Sequence, residues 1–155
     1  FLWNEIPLNE NVKEINFEQF SLKNGLTVNM GNPHIVFFVE DLNNINIDEI
    51  GPFIETDKLF PQRINLEICQ IINRNKIKAL IWERGAGKTL ACGSGACAVL
   101  VAACKNGLSN ETAEIMLDGG SLNISWNINS NNHVIMSGPV SVSFLGDFST
   151  LGIEK

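Results

Sequence analysis

Residues 26–30 and 35–39 are short apolar stretches flanking Gly31-Asn32-Pro33-His34, and they predict two strands joined by a turn. Ile64, Leu66 and Ile68 alternate with Asn65 and Glu67 at the period of a half-buried strand. That period puts Asn65 and Glu67 together, on the face opposite the isoleucines. Asn73-Arg74-Asn75 predicts a hairpin turn into a strand over 76–84. Residues 48–57 fit a short helix that Gly51-Pro52 is expected to break. Residues 96–104 are apolar on every side, which predicts an enclosed helix, not one laid on a surface. Lys105-Asn106-Gly107 supplies its C-terminus, with a cation in the last turn and a glycine cap. Strands resume at 112–117, then, after the turn Asp118-Gly119-Gly120, at 122–126, 133–136 and 140–145; the asparagine-rich stretch 127–132 is an exposed loop. No internal repeat is visible. Many antiparallel strands around one buried helix predict an α+β fold.

At 155 residues the chain is one domain's worth, long enough to bury a core. The formal net charge of -6, without a block of lysine or arginine, argues against nucleic acid or an anionic membrane as partner. No apolar run approaches the roughly 20 residues that span a bilayer. The chain opens Phe1-Leu2-Trp3-Asn4-Glu5-Ile6-Pro7, with no initiator methionine and no signal-peptide pattern, and is expected to be a fragment of something longer. Cys69, Cys92, Cys97 and Cys104 lack the paired C-x-x-C spacing of a zinc site, so no metal is expected. They form no disulfide framework either; reduced thiols in a cytoplasmic protein are the expectation.

The densest chemistry is in the run 89–98, Thr-Leu-Ala-Cys-Gly-Ser-Gly-Ala-Cys-Ala, which sets Cys92 at the mouth of the expected helix. Free backbone N–H groups and the helix dipole favour negative charge there, so such a thiol is expected to ionise more easily. Glycines let an anionic ligand approach the backbone. The local run fits an acid, base or nucleophile and a buried structural cysteine equally well. Two nucleotide motifs are only apparent. Gly85-Ala86-Gly87-Lys88-Thr89 lacks the leading glycine of a P-loop, a position held by Trp82. Gly93-Ser94-Gly95-Ala96-Cys97-Ala98 fits G-x-G-x-x-A but follows no adequate strand, which leaves nucleotide binding a weak alternative. Cys97 and Cys104 share one stripe of the helix and read as core, as does Cys69. Cys97 lies about 140° round the helix from Cys92, so the two thiols are not expected to flank one substrate atom. His34 follows a rigid turn, His133 sits in the exposed loop, and Glu83-Arg84 closes a strand with both charges able to enter a cleft or simply face solvent.

Four segments in register resemble the C-terminal half of diaminopimelate epimerase: Gly31-Asn32-Pro33-His34, Asn65-Leu66-Glu67, Glu83-Arg84-Gly85-Ala86-Gly87 and Ala91-Cys92-Gly93-Ser94-Gly95-Ala96-Cys97. The resemblance covers essentially the whole chain. It implies a fold in which an antiparallel sheet curls around a central buried helix. It implies inversion of an amino-acid α-carbon, interconverting LL- and meso-diaminopimelate without pyridoxal phosphate or any other cofactor. In that family one thiolate removes the α-proton while a thiol on the opposite face delivers another. By resemblance Cys92 is one of the two. The N–H groups of Gly93 and Ser94 would hold the reacting carboxylate, and Asn32, Asn65 and Arg84 the substrate's distal end. Glu83 would pair with an ammonium group and help set protonation, and His34 would assist by tuning the Cys92 thiol. The second catalytic cysteine belongs to an N-terminal half that this chain lacks. Residues 1–10 then correspond to an inter-domain linker, and a tail from about 142 to 155 is expected to pack on the absent half. A homodimer is a further expectation of the same resemblance. The readings set beside it are another amino-acid racemase of the same fold and a non-catalytic binding module.

Overall fold

Period-two patterning and turn residues build a single mixed sheet. The computed structural model describes residues 6–8 and 14–146. The first half of the chain forms β1 (Ile15–Phe17), β2 (Leu22–Asn29), β3 (Pro33–Phe38), α1 (Ile47–Glu55) and β4 (Asn65–Asn73). The second half forms β5 (Lys76–Glu83), β6 (Gly87–Thr89), α2 (Gly93–Lys105), β7 (Thr112–Leu117), β8 (Gly120–Trp126) and β9 (Val134–Ser137). The strands lie in the order β1-β2-β3-β4-β5-β7-β8-β9, with β6 pairing β5 off that path. The α+β class is as expected. Residues 1–5 and 9–13, where most of the expected linker falls, and 147–155 of the expected tail lie outside the described residues.

The sheet is not wholly antiparallel. β3 pairs with β4 and β5 with β7 in parallel, each through a crossover that carries a helix. β4 and β5 are antiparallel, so the two crossovers leave strands of opposite direction and advance the same way across the sheet. With one hand of crossover, that geometry sends the helices to opposite faces. The core divides accordingly. Ile50 and Ile54 of α1 pack with Ile35, Phe37, Leu66 and Ile68 on one face. Residues of α2 pack with Val36, Cys69, Ile77, Ile115 and Ile124 on the other.

Residues 64–69 are therefore buried on both faces, where alternation had suggested a half-buried strand. Asn65 and Glu67 do share one face, but α2 covers it. All side chains from Gly95 to Ala103 in α2 are buried, as its all-round apolar character requires. The helix ends in a Schellman turn: Leu108 N–H donates to the Ala103 carbonyl and Gly107 N–H to that of Cys104, with Gly107 at φ +68°.

Two expectations fail locally. Pro52 does not break α1; it removes one ladder bond, and Gly51 lacks the Cβ that would clash with the proline ring. Residues 140–145 form no strand, and Val140, Val142, Phe144 and Leu145 are exposed. An alternating pattern becomes a strand only where another backbone satisfies its N–H and C=O groups, and no described strand pairs with it.

Gly51 also decides how α1 meets the sheet. A Cβ there would land inside the Trp82 ring, which is fixed because its Nε1 donates to Glu55 Oε2 at 2.7 Å. Gly51→Ala gains about 1 kcal/mol of helix propensity but overpacks a held aromatic ring, typically at a cost of about 1–3 kcal/mol. Urea unfolding is expected to show net destabilisation; a stabilised variant would mean the ring is free to move.

Candidate active site

The site is assembled where three chain reversals meet the N-terminus of α2. The turn before β3 is held by Gly31 N–H donating to Asn29 Oδ1 and by Met30 N–H donating to the Asn32 carbonyl. It presents Asn32 at the sheet's end and delivers His34 into β3. Parallel pairing sets His34 beside Asn65 in β4, so Glu67, two residues on, lies on the same covered face. His34 Nδ1 and Glu67 Oε1 are 2.7 Å apart, and neither side chain has any exposed surface. On the other side of the ring, Nε2 is 2.9 Å from Asn32 Oδ1.

Cys92 is the N-cap of α2, in extended conformation, and its carbonyl accepts from Ala96 N–H at 2.9 Å. The segment before it is anchored by Gly119 N–H, in the β7–β8 turn, donating to the Leu90 carbonyl at 2.7 Å. Cys92 Sγ lies 3.5 Å from Ser94 Oγ, and Ser94 Oγ accepts from Asn32 Nδ2 at 3.4 Å. The first turn of α2 sits directly on Glu67: a Cβ on Gly95 would come within 2.9 Å of Glu67 Oε1 and 3.0 Å of Ile81 Cδ1. Glycine at 95 thus serves close approach of helix to carboxyl group, apart from any ligand.

The β5–β6 turn completes the site. Arg84 N–H donates to Asn65 Oδ1 at 2.9 Å, and Asn65 Nδ2 donates to the Pro33 carbonyl at 2.7 Å. Both ends of the Asn65 amide therefore tie the β5–β6 turn to the β2–β3 turn. Gly85 N–H donates to Glu55 Oε1 at 3.0 Å, so the same turn is pinned to the end of α1. Arg84 itself is exposed, with Nη1 donating to the Gln62 carbonyl at 3.0 Å.

Charge at the site differs from the helix-mouth expectation. Burial pushes the Cys92 thiol up, and the Glu83 carboxylate beside it adds to the rise. Hydrogen bonds from Ser94 and the Gly95 N–H work the other way without winning. The sulfur is half-buried and has an anionic neighbour on β5, and together these outweigh the helix dipole. Burial likewise raises Glu67, opposed by His34 and reinforced by Glu83. Cys97, 8% exposed, belongs to the core on α2; burial and then the nearby Cys92 raise its thiol. Cys69 is fully buried in the same core, and Cys104 contacts Ser109 and the Asn110 carbonyl at the far end of α2. His133 is exposed, in the stretch before β9.

The structure thus joins Asn32, His34, Ser94 and Cys92 by direct side-chain contacts, with Glu83 beside the thiol and Gly93 opening α2. Arg84 is tied to them through Asn65. Sequence reading assigned no part to Glu67, Glu55 or Gly119. Glu67 carried a signal, because it shares a strand face with Asn65; Glu55 and Gly119 carried none that local pattern reveals. Among the described residues no group of three or more His, Cys, Asp or Glu is placed to hold a metal ion. No helix among them is long and apolar enough to cross a membrane.

The family model described as diaminopimelate epimerase matches residues 26–143. The diaminopimelate epimerase of Rhodospirillum centenum is 44% identical over 149 residues, covering 95% of this chain and 50% of that protein. That of Acetivibrio thermocellus is 52% identical over 120 residues, covering 77% of this chain and 42% of its own length. The chain spans about half the length of the curated relatives it matches. Among solved structures, a PhzF-family phenazine biosynthesis protein from Bacillus anthracis covers 70% of this chain and 34% of its own, at 21% identity and a TM-score of 0.49.

The pinning of the β5–β6 turn has a pH signature. Burial opposes ionisation of Glu55, but hydrogen bonds from Trp82, Gly85 N–H and Arg63 outweigh it and hold the carboxyl below its ordinary value of 4.5. A depressed folded value means this stabilisation is present above the unfolded value and lost as pH falls through the folded one. Acid titration of urea stability is expected to be shallower below pH 4.5 in Glu55→Gln than in the parent. Equal slopes would show that the clamp does not depend on the charge.

Proposed function

The chain belongs to the diaminopimelate epimerase family, and from that premise we propose that it is the C-terminal half of an epimerase interconverting LL- and meso-diaminopimelate. The supporting observation is the continuous line of contacts Glu67–His34–Asn32–Ser94–Cys92, which gathers side chains from β4, β3, a turn and a helix mouth onto one thiol. A structural cysteine needs no such line. In this reading Cys92 exchanges the α-proton on one face of the substrate, and a second thiol from the other half of the protein does so on the opposite face.

Each role follows from chemistry that the site can supply. Removing a proton next to a carboxylate creates a carbanion whose charge spreads onto the carboxylate oxygens. Donors preset at that position stabilise it more than they stabilise the substrate. The N–H groups of Gly93 and Ser94, in the first turn of α2, are such donors. Glu83, beside the thiol, receives an ammonium group. A cation there also offsets the charge that raises the Cys92 thiol, so substrate binding itself favours the reactive thiolate. Arg84 offers a guanidinium to the distal carboxylate. Asn32, between His34 and Ser94, would help hold the substrate's distal end. Asn65 holds the turn that carries Arg84. No cofactor enters this scheme.

The half-site reading carries an architecture. The sheet curls around α2, residues 1–10 link the two halves, and the tail from about 142 to 155 packs on the N-terminal half. The exposed apolar side chains of Val140, Val142, Phe144 and Leu145 support a tail that is covered in the whole protein. The reaction belongs to lysine and peptidoglycan-precursor synthesis in the cytoplasm.

In the full-length protein Cys92→Ala is expected to lower kcat by at least about 100-fold, the lower bound for loss of a general acid or base, with diaminopimelate binding retained in calorimetry. Turnover within tenfold of the parent would overturn the assignment. The 155-residue chain alone is expected to show no epimerisation; measurable activity from it would contradict the half-site.

A further inference from the structure

Glu67 touches no substrate in this reading, yet it is an ionisable group buried, with His34, beneath the helix mouth that carries Cys92. Its Oε1 meets His34 Nδ1 at 2.7 Å, while its Oε2 has no hydrogen-bond partner. A buried carboxyl group with one unpaired oxygen is costly to desolvate, and such pairs are often no more stable than apolar packing of the same volume. Its geometry suggests another purpose. The Asn32 carbonyl oxygen faces His34 Nε2, so Nε2 carries a hydrogen. Nδ1 and Oε1 then share a single proton, as an imidazolium with a carboxylate or as a neutral imidazole with a carboxylic acid. Onward from the ring, every bond can run in one direction. Nε2–H donates to Asn32 Oδ1, Asn32 Nδ2–H donates to Ser94 Oγ, and Ser94 O–H donates to Cys92 Sγ.

We propose that Glu67 is a positioning residue for proton transfer at Cys92, acting through His34, Asn32 and Ser94 as a one-way chain of hydrogen-bond donors. When the Cys92 thiol gives up its proton, to the substrate's α-carbon in turnover or to solvent in the free protein, the shared proton moves from Oε1 to Nδ1. No proton leaves the pair, and no net charge enters the core. The pair becomes a dipole with its positive end on the ring, and each donor along the chain is polarised toward the thiolate. When Cys92 is reprotonated the proton returns to Oε1, which suits a carboxyl group with one unpaired oxygen. Cys92 thereby gains a stabiliser for its charged form that is silent in its neutral form, as a residue alternating between acid and base requires. The proposal deepens the reading of Cys92 as an acid/base thiol, but its test needs no turnover.

The other ionisable groups facing these side chains are Glu83 on β5, toward both Cys92 and Glu67, Cys97 on α2, toward Cys92, and Cys69 on β4, toward Glu67. They are unchanged in the variants below and cancel in the comparison. In the full-length protein, the rate of iodoacetamide alkylation at Cys92 is followed against pH by mass spectrometry of the peptide that carries it. Glu67→Gln keeps the shape and removes the shared proton. It is expected to move the profile up by about one pH unit, a tenfold slower alkylation at neutral pH. In a Ser94→Ala background, where the chain is cut, Glu67→Gln is expected to change the rate by less than twofold. An unchanged or faster rate in the single variant would overturn the proposal, the faster rate showing Glu67 to be a plain repelling charge. A tenfold effect surviving in the double variant would overturn it too, by showing action through packing. Nitrogen-15 spectra of His34 in the parent protein require no variant to fold: Nε2 is expected to carry a hydrogen, as its contact with Asn32 Oδ1 requires. A bare Nε2 would break the direction of the chain. Should epimerisation fail while these results hold, the proposed reaction falls and the chain to Cys92 stands.

Discussion

His34 and Glu67 are locked together at 2.7 Å with both side chains fully buried, and this constraint governs the surrounding architecture. An isolated carboxylate or imidazolium in that position would cost several kcal/mol, so the two must be brought together by the fold and held there. Parallel pairing of β3 with β4 puts them on one face of adjacent strands. The first turn of α2 closes over them, and that closure admits nothing larger than glycine at 95. The helix mouth that carries Cys92, the turn that carries Asn32 and the carboxyl group beneath are thus fixed by a single close approach.

The two crossovers explain how one small sheet supports this. Placed on opposite faces, α1 and α2 let the central strands bury both sides, so polar groups such as Asn65 and Glu67 occur inside the sheet without facing solvent. α1 then reaches around the sheet's end through Glu55, which holds Trp82, Arg63 and the Gly85 N–H together. The β5–β6 turn, with Glu83 and Arg84, is consequently fixed from two sides, by Glu55 from α1 and by Asn65 from β4. Rigid support of this kind is what a site needs when its donors must lie where charge develops.

Much of this was legible in local pattern. The β2–β3 turn, the enclosed α2 with its Gly107 cap, the β4–β5 and β7–β8 hairpins and the cysteine at a helix mouth all follow from spacing and residue type. Strand direction was not, because alternation is the same in parallel and antiparallel pairs; the crossover at 39–64 was the available hint. Pro52 misled because Gly51, read as a second breaker, in fact relieves it by lacking the Cβ that would meet the proline ring; the helix is then held by packing on Trp82, thirty-one positions away. The Cys92 thiol misled for a related reason. A dipole argument sees the helix it belongs to, whereas burial and Glu83 on β5 raise the thiol. The strand pattern at 140–145 marks apolar residues correctly but cannot say what they pair with. Glu67 sat within a recognisable segment, yet only the register of β3 against β4 reveals His34 as its partner.

The central claim is that Cys92 is one of two thiols acting on opposite faces of the same carbon. Its most direct test is the fate of the α-hydrogen when the full-length protein works in deuterium oxide. At early times, before the reverse reaction contributes, the product isomer should carry solvent deuterium at the inverted carbon while recovered substrate stays unlabelled. That is the pattern expected if one thiol removes the original hydrogen and the other delivers a solvent-derived one. Deuterium appearing in recovered substrate as fast as in product, or inversion that retains the original hydrogen, would contradict the account.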